Sequence, residues 1–105
     1  MNPYEIFIVF ISWGASGKKR PVLVVSTTGE KIIIYPITTQ YDGKSKTVKD
    51  NYFEISDWEE AGLYKKSYAD IATAYRLPKS AFNDLLPIGK LSEKDKQSLI
   101  KFLSI

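Results

Sequence analysis

Apolar residues along this chain fall in short runs rich in β-branched and aromatic side chains, separated by turn residues, and that pattern predicts strands. Tyr4 to Ile11 (YEIFIVFI) reads as a first strand. Val22-Leu23-Val24-Val25 is an unbroken branched run bounded by turn signals, which predicts a strand covered on both faces. Pro21 belongs at its first residue, where a missing N–H costs the sheet little. Thr27-Thr28-Gly29-Glu30 is expected to form a four-residue hairpin loop, with Lys31 to Ile37 as the return strand. Tyr52 to Ile55 predicts a further short strand. Ser56-Asp57-Trp58-Glu59 has the form of a capping box and predicts one helical turn ended by Gly62. Tyr68 to Tyr75 is expected to be extended, given its aromatic ends and the Arg76-Leu77-Pro78 that follows. Lys79 to Asp84 predicts a turn of helix and Leu85 to Leu91 a last short strand. Ser92 then caps a terminal helix whose Leu99, Phe102 and Leu103 recur at helical spacing. Many short strands, one closing helix and no βαβ rhythm indicate a mainly β fold, a small barrel with short helices.

Length and composition narrow what such a barrel can do. With 105 residues the chain fits a single domain, 1–105, able to bury one core without staples. It contains no cysteine and no histidine, which excludes disulfides, thiolate catalysis and imidazole acid–base chemistry. No cofactor and no metal are expected. Any chemistry rests on Arg, Lys, Tyr, Ser, Thr or carboxylates. Apolar runs fall far short of the ~20 residues of a membrane span, and the N-terminus lacks the pattern of a signal peptide, so a cytoplasmic protein is expected. The net charge of +3 is unevenly placed: residues 1–50 carry seven Lys or Arg against four acids, and the remainder balances eight against eight. An anionic partner, nucleic acid first, fits that clustering.

The candidate chemistry gathers where the cations meet the central strand. Lys18-Lys19-Arg20 runs directly into Pro21 and the apolar run, so the Arg20 guanidinium is mounted on a rigid element, as a phosphate-reading group needs. The plainer alternative is that the three cations keep an apolar strand from aggregating. Ser12 to Gly17 is expected to be a small-residue loop that carries Trp13 beside these cations, either to stack a base or to fold back over the core. If the four-residue hairpin loop closes symmetrically, Ser26 lies opposite Lys31 and Arg20 opposite Ile37, which brings Thr38-Thr39 to the Arg20 end. That register puts Thr39 on the face of Arg20, whereas a one-residue slip or a bulge near Pro21 or Pro36 selects Thr38. Tyr41 to Asp50 (YDGKSKTVKD) reads as a flexible basic loop next to the same rim. Lys18, Lys19, Lys44 and Lys46 would follow a phosphate backbone, Thr39 and Gln40 would line it, and Tyr41 offers a second ring for stacking. Asp42 and Asp70 are candidates for moving a proton, each otherwise a solvated surface carboxylate.

Four segments in order, spread over nearly the whole chain, resemble the MazF/PemK toxins of bacterial type II toxin–antitoxin modules. They are Gly-x-x-Arg-Pro-Val-Leu-Val-Val-Ser at 17–26, Pro-Ile-Thr at 36–38, Ala-Gly-Leu-x-Lys-x-Ser at 61–67 and Ile-Gly-Lys-Leu-Ser at 88–92. The resemblance implies an SH3-like β-barrel with a C-terminal helix, a homodimer, metal-independent cleavage of single-stranded RNA at short sequences, and a cognate antitoxin that covers the RNA groove. It carries the family's functional Arg onto Arg20 and its functional Thr onto Thr38. The loop after the first strand is shorter than usual and lacks the Gly-Ser-Glu-Gln segment. The acidic residue several members carry falls on Ala72, with Asp70 two positions away and expected on the same strand face.

Two other functions are compatible with such a barrel. One is a module that binds RNA or a protein without cutting, since fold analogy does not choose between cutting and holding. The other is a gyrase-poisoning toxin of similar fold. Those toxins resemble one another in a C-terminal tryptophan-glycine-isoleucine end, whereas this chain ends Phe102-Leu103-Ser104-Ile105, which ranks that reading last.

Overall fold

The computed structural model describes residues 1–104. Its centre is the long strand β2 (Ser16–Thr28), which pairs antiparallel with β1 (Glu5–Trp13) on one side and β3 (Lys31–Thr38) on the other. The β3 strand is shared along its length: its first half pairs with β6 (Tyr75–Pro78) and its last residues with β5 (Ser67–Asp70), which in turn pairs with β4 (Tyr52–Ile55). A two-residue strand, β7 (Gly89–Lys90), joins the outer side of β1. The sheet order is therefore β4-β5-β3-β2-β1-β7, and the sheet curls into a half-barrel. The helices are α1 (Lys46–Lys49) and the terminal α2 (Glu93–Leu103), with a 3-10 turn at Lys79–Phe82.

The curl buries both faces of β2. Val22, Leu23 and Val24 are each fully buried, as expected of a consecutive apolar run. Leu23 belongs to a core with Ile6, Ile37, Phe53, Ile55 and Leu99, while Val22 and Val24 face a second core with Phe7, Val9, Ile11, Ile32, Ile34 and Phe82. Burying each such side chain contributes about 1.5–3 kcal/mol. Phe82 closes the second core edge-on against Phe7, with ring centroids 5.3 Å apart.

Both hairpins are tighter than the sequence suggested. The β1–β2 hairpin turns at Gly14-Ala15, because Trp13 still pairs with Ser16; the expected loop Ser12 to Gly17 is mostly strand. In β2–β3, Thr28 pairs with Lys31, so the loop is Gly29-Glu30 alone. Gly29 has φ +62°, the left-handed conformation that lets a two-residue loop match the strand twist.

Other segments also differ. Residues 56–62 form turns and no helix. The turn nonetheless ends as a helix would: Leu63 N–H reaches Trp58 O and Gly62 N–H reaches Glu59 O, with Gly62 at φ +88°. The Ser56 hydroxyl is not the cap. Instead Asp95, 1% exposed in the first turn of α2, accepts from Ser56 N at 3.2 Å and Asp57 N at 2.7 Å. Ser92 caps α2 as expected and donates to Asp57 Oδ2 at 2.6 Å, which pins the helix to this turn. Tyr68 to Tyr75 is not one strand, since β5 ends at Asp70 and β6 begins at Tyr75. Each half satisfies a different end of β3. The segment Leu85 to Leu91 contributes only β7. On α2, Leu99 is buried and Phe102 packs edge-on against Phe53 at 5.6 Å, but Leu103 is 44% exposed, because the buried stripe follows Asp95, Leu99 and Phe102.

Candidate functional site

A β-bulge decides which threonine meets Arg20. The β2–β3 register runs Ser26↔Ile33 on the hairpin side and Val24↔Ile34, Leu23↔Tyr35, Val22↔Pro36 beyond it, so Val25 is the extra residue. Continuing two residues past Val22↔Pro36 brings Arg20 level with Thr38. The shift lies at Val25, away from both prolines, and it is Thr38, the last residue of β3, that stands level with Arg20, with Thr39 just past the strand's end. Thr38 in turn pairs with Tyr68 of β5, and Tyr68 with Glu54 of β4. One row across the sheet thus reads Arg20, Thr38, Tyr68, Glu54. The adjacent row holds Pro36, then Asp70 paired with Tyr52.

Both functional groups have capacity to spare. Arg20 is half-buried, lines a cleft on either side and, among the described residues, forms no side-chain hydrogen bond or ion pair, so its forked donors are available. Thr38 Oγ1 accepts from Gln40 N at 3.1 Å, which orients the oxygen and leaves the hydroxyl proton free to donate.

Two clefts meet at this pair. One, about 260 Å3, is lined by Lys18, Lys19, Arg20, Pro21, Thr38, Thr39, Gln40, Leu63, Tyr64 and Ser67. The second, about 230 Å3, is lined by Arg20, Pro36, Thr38, Gln40, Lys44, Tyr52, Asp70, Thr73 and Tyr75. Arg20, Thr38 and Gln40 belong to both. A separate cavity of about 510 Å3 beside Tyr4, Glu5, Glu60, Lys90, Glu93 and Lys96 is larger but mixes acids and lysines, and it shares no residue with the Arg20 clefts.

No family model matches the sequence, and no curated protein matches it. Among solved structures the chain is similar to the Mycobacterium tuberculosis toxin MazF-mt6, with a TM-score of 0.68 and 21% identity over 94% of this chain and 91% of that one. The fold is MazF-like. That agrees with the expected mainly β fold closed by a C-terminal helix, with the expected small barrel realised as a sheet curled into a half-barrel.

On this MazF-like fold, six of the residues singled out in the sequence meet around the clefts: Arg20 and Thr38, with Lys18, Lys19, Thr39 and Gln40 along the first. Lys44 and Asp70 join them in the second. The rest lie elsewhere. Lys46 begins α1 and pairs with Asp50 at 3.1 Å, both exposed, and Asp42 sits in an exposed turn; neither is among the residues lining the two clefts. Tyr41 is not a free stacking surface. Its ring lies parallel to Tyr68 at 4.4 Å, and Lys49 Nζ sits over it at 4.8 Å. The Trp13 side chain lies outside the described residues; its backbone is at the tip of the β1–β2 hairpin. Sequence reasoning missed Tyr52 and Thr73, which line the second cleft, and Leu63 and Tyr64, which line the first. Alternation along β4 was legible and would have put Tyr52 opposite the buried Phe53, but its partner Asp70 depends on which strands pair.

Ala72, on which the family's acid falls, lies in the turn after β5 and not on the strand. Its N–H donates to Asp70 Oδ1 at 3.1 Å, and Asp70 itself lines the second cleft.

Proposed function

We propose that this protein is the toxin of a type II toxin–antitoxin pair and acts as an endoribonuclease on single-stranded RNA without a metal. The reading rests above all on one observation: Arg20, whose guanidinium is unpaired among the described residues, and Thr38, whose hydroxyl proton is free to donate, line the same two clefts of a MazF-like fold. In the proposed reaction the RNA's own 2′-hydroxyl oxygen attacks the adjacent phosphorus while the bond from phosphorus to the 5′-oxygen breaks. The 2′-proton leaves to an acceptor and the departing 5′-oxygen takes one up, giving a 2′,3′-cyclic phosphate and a 5′-hydroxyl. Arg20, whose fork spans two phosphate oxygens, stabilises the charge that develops on them. Thr38 donates to the same phosphate. Lys18, Lys19 and Lys44 hold flanking phosphates, and their loss would weaken binding without sequence preference.

Partners follow from the same reading. The toxin is a homodimer, and a second observation favours this: Ile8 and Phe10 project from β1, and Leu86 and Ile88 are exposed just before β7, which pairs with β1. An acidic antitoxin lies across the rim formed by Lys18, Lys19, Arg20 and Lys44.

The decisive test is an RNA oligonucleotide with a single deoxyribose at the scissile nucleotide. It should bind nearly as well as the all-ribose strand, because its phosphates are unchanged, and resist cleavage. Ordinary RNA should give cyclic-phosphate ends at a rate that chelator does not slow. Cleavage of the deoxy-substituted strand at the same bond would mean that water is the nucleophile. Binding without cleavage of either strand would favour an RNA-holding module.

A further inference from the structure

Asp70 is out of place in a cleft meant only for phosphate. A carboxylate beside Arg20 and Lys44 repels the backbone those cations attract, so its presence calls for a ligand edge that carries hydrogen-bond donors. Oδ1 accepts from Ala72 N at 3.1 Å, and among the described residues Asp70 has no cation within 4.0 Å. Both oxygens retain acceptor capacity. Beside it stands Tyr52, its direct cross-strand partner, and Thr73 adds a hydroxyl. Tyr52, Asp70 and Thr73 also line a further cleft, about 200 Å3, that continues past Asn51 and Ala72, so the groove extends beyond the Arg20–Thr38 pair.

Distance separates this group from the scissile phosphate. Asp70 lies one strand over and two residues along from Thr38, about 8 Å at the backbone by strand spacing and rise. That offset suits a neighbouring base better than the reacting phosphate. A single-stranded base splayed into such a pocket is read by stacking on an aromatic ring and by hydrogen bonds to its Watson–Crick edge.

Resting on the ribonuclease reading above, we propose that Tyr52, Asp70 and Thr73 form a base-reading subsite that selects guanine next to the cleaved bond. Guanine presents N1–H and N2–H side by side, and the two oxygens of Asp70 accept both. Uracil offers a single N–H flanked by two carbonyl oxygens that oppose the carboxylate, and adenine and cytosine offer one amine each. Asp70 is then a specificity residue and not the proton acceptor.

The test is a set of oligonucleotides carrying each of the four bases, or inosine, at every position flanking the cleaved bond, cut by the wild-type protein and by D70N. The wild type should favour guanine at one position by on the order of 10- to 100-fold over uracil. Inosine there, which lacks the N2 amine, should be cut more slowly than guanine. D70N should bring the guanine and inosine rates together, since its amide opposes a donor with a donor. Wild-type discrimination against inosine needs no variant and stands even if D70N folds poorly. Equal wild-type rates for guanine and inosine at every position would overturn the subsite. So would D70N slowing all substrates equally with the preference unchanged, because Asp70 would then be the proton acceptor. If the wild type cuts no RNA, the ribonuclease reading fails by itself, and fluorescence anisotropy with the same strands judges the subsite: guanine-selective binding supports it, unselective binding or none refutes it.

Discussion

Replacing Asp95 should cost more stability than replacing any surface carboxylate, because it is buried and each of its oxygens accepts a backbone N–H. It is 1% exposed and accepts two backbone N–H groups from the 56–57 turn, while Ser92 caps the helix beneath it and reaches Asp57. A hydrogen bond to a charged acceptor contributes about 1.5–3 kcal/mol. Asp95→Ala removes two, and water reaches the partly exposed turn to recover some of the loss, so a destabilisation of about 3–4 kcal/mol is expected. Asp95→Asn keeps one acceptor oxygen but points an amide N–H at a backbone N–H, for about 1.5–3 kcal/mol. In a chain of this size 3 kcal/mol corresponds to a fall of roughly 10–20 °C in melting temperature. Urea unfolding followed by tryptophan fluorescence measures the effect, at one fixed protein concentration because dissociation of a dimer would shift the midpoint. Asp57→Asn, which retains an acceptor for Ser92, serves as the control and should cost under about 1 kcal/mol. An Asp95→Asn protein within about 0.5 kcal/mol of wild type would refute the assignment of Asp95 as the pin between α2 and the turn.

Arg20→Ala should lower cleavage by on the order of 100-fold or more while leaving the melting temperature near that of wild type, since among the described residues Arg20 has no side-chain hydrogen bond or ion pair to lose. Arg20→Lys should recover little, because a point charge lacks the fork; full activity in either variant removes Arg20 from the reaction. Thr38→Val, which preserves shape and removes the hydroxyl, should also slow cleavage, and Thr38→Ser should restore much of it; equal rates for Val and Ser would show that the hydroxyl is idle. Phe10→Glu places a charge on a residue 60% exposed and should convert a wild-type dimer to monomer in sedimentation velocity without unfolding it. A wild type that sediments only as monomer at micromolar concentration would remove the dimer.

The mainly β class, the doubly buried central strand and the capped terminal helix were all legible locally. Val22-Leu23-Val24 is a consecutive apolar run, and Ser92 precedes a helical pattern; neither needs knowledge of distant neighbours. Arg20 was legible for the same reason, since it adjoins the run that anchors it. What the chain could not declare was register. Whether Thr38 or Thr39 stands beside Arg20 depends on a bulge at Val25, and a branched run of near-equivalent residues carries no local mark of which one is extra. The break between β5 and β6 was hidden likewise, because it exists so that two segments can pair with different ends of β3. The capping box at Ser56 failed because Asp95, 39 residues away, supplies a charged acceptor to the same turn. The Tyr52–Asp70 pair, too, was settled only when β4 and β5 aligned. Propensity and periodicity report what each segment can be; which side chains face one cleft is set by pairings between segments, and those are decided by burial of the whole sheet.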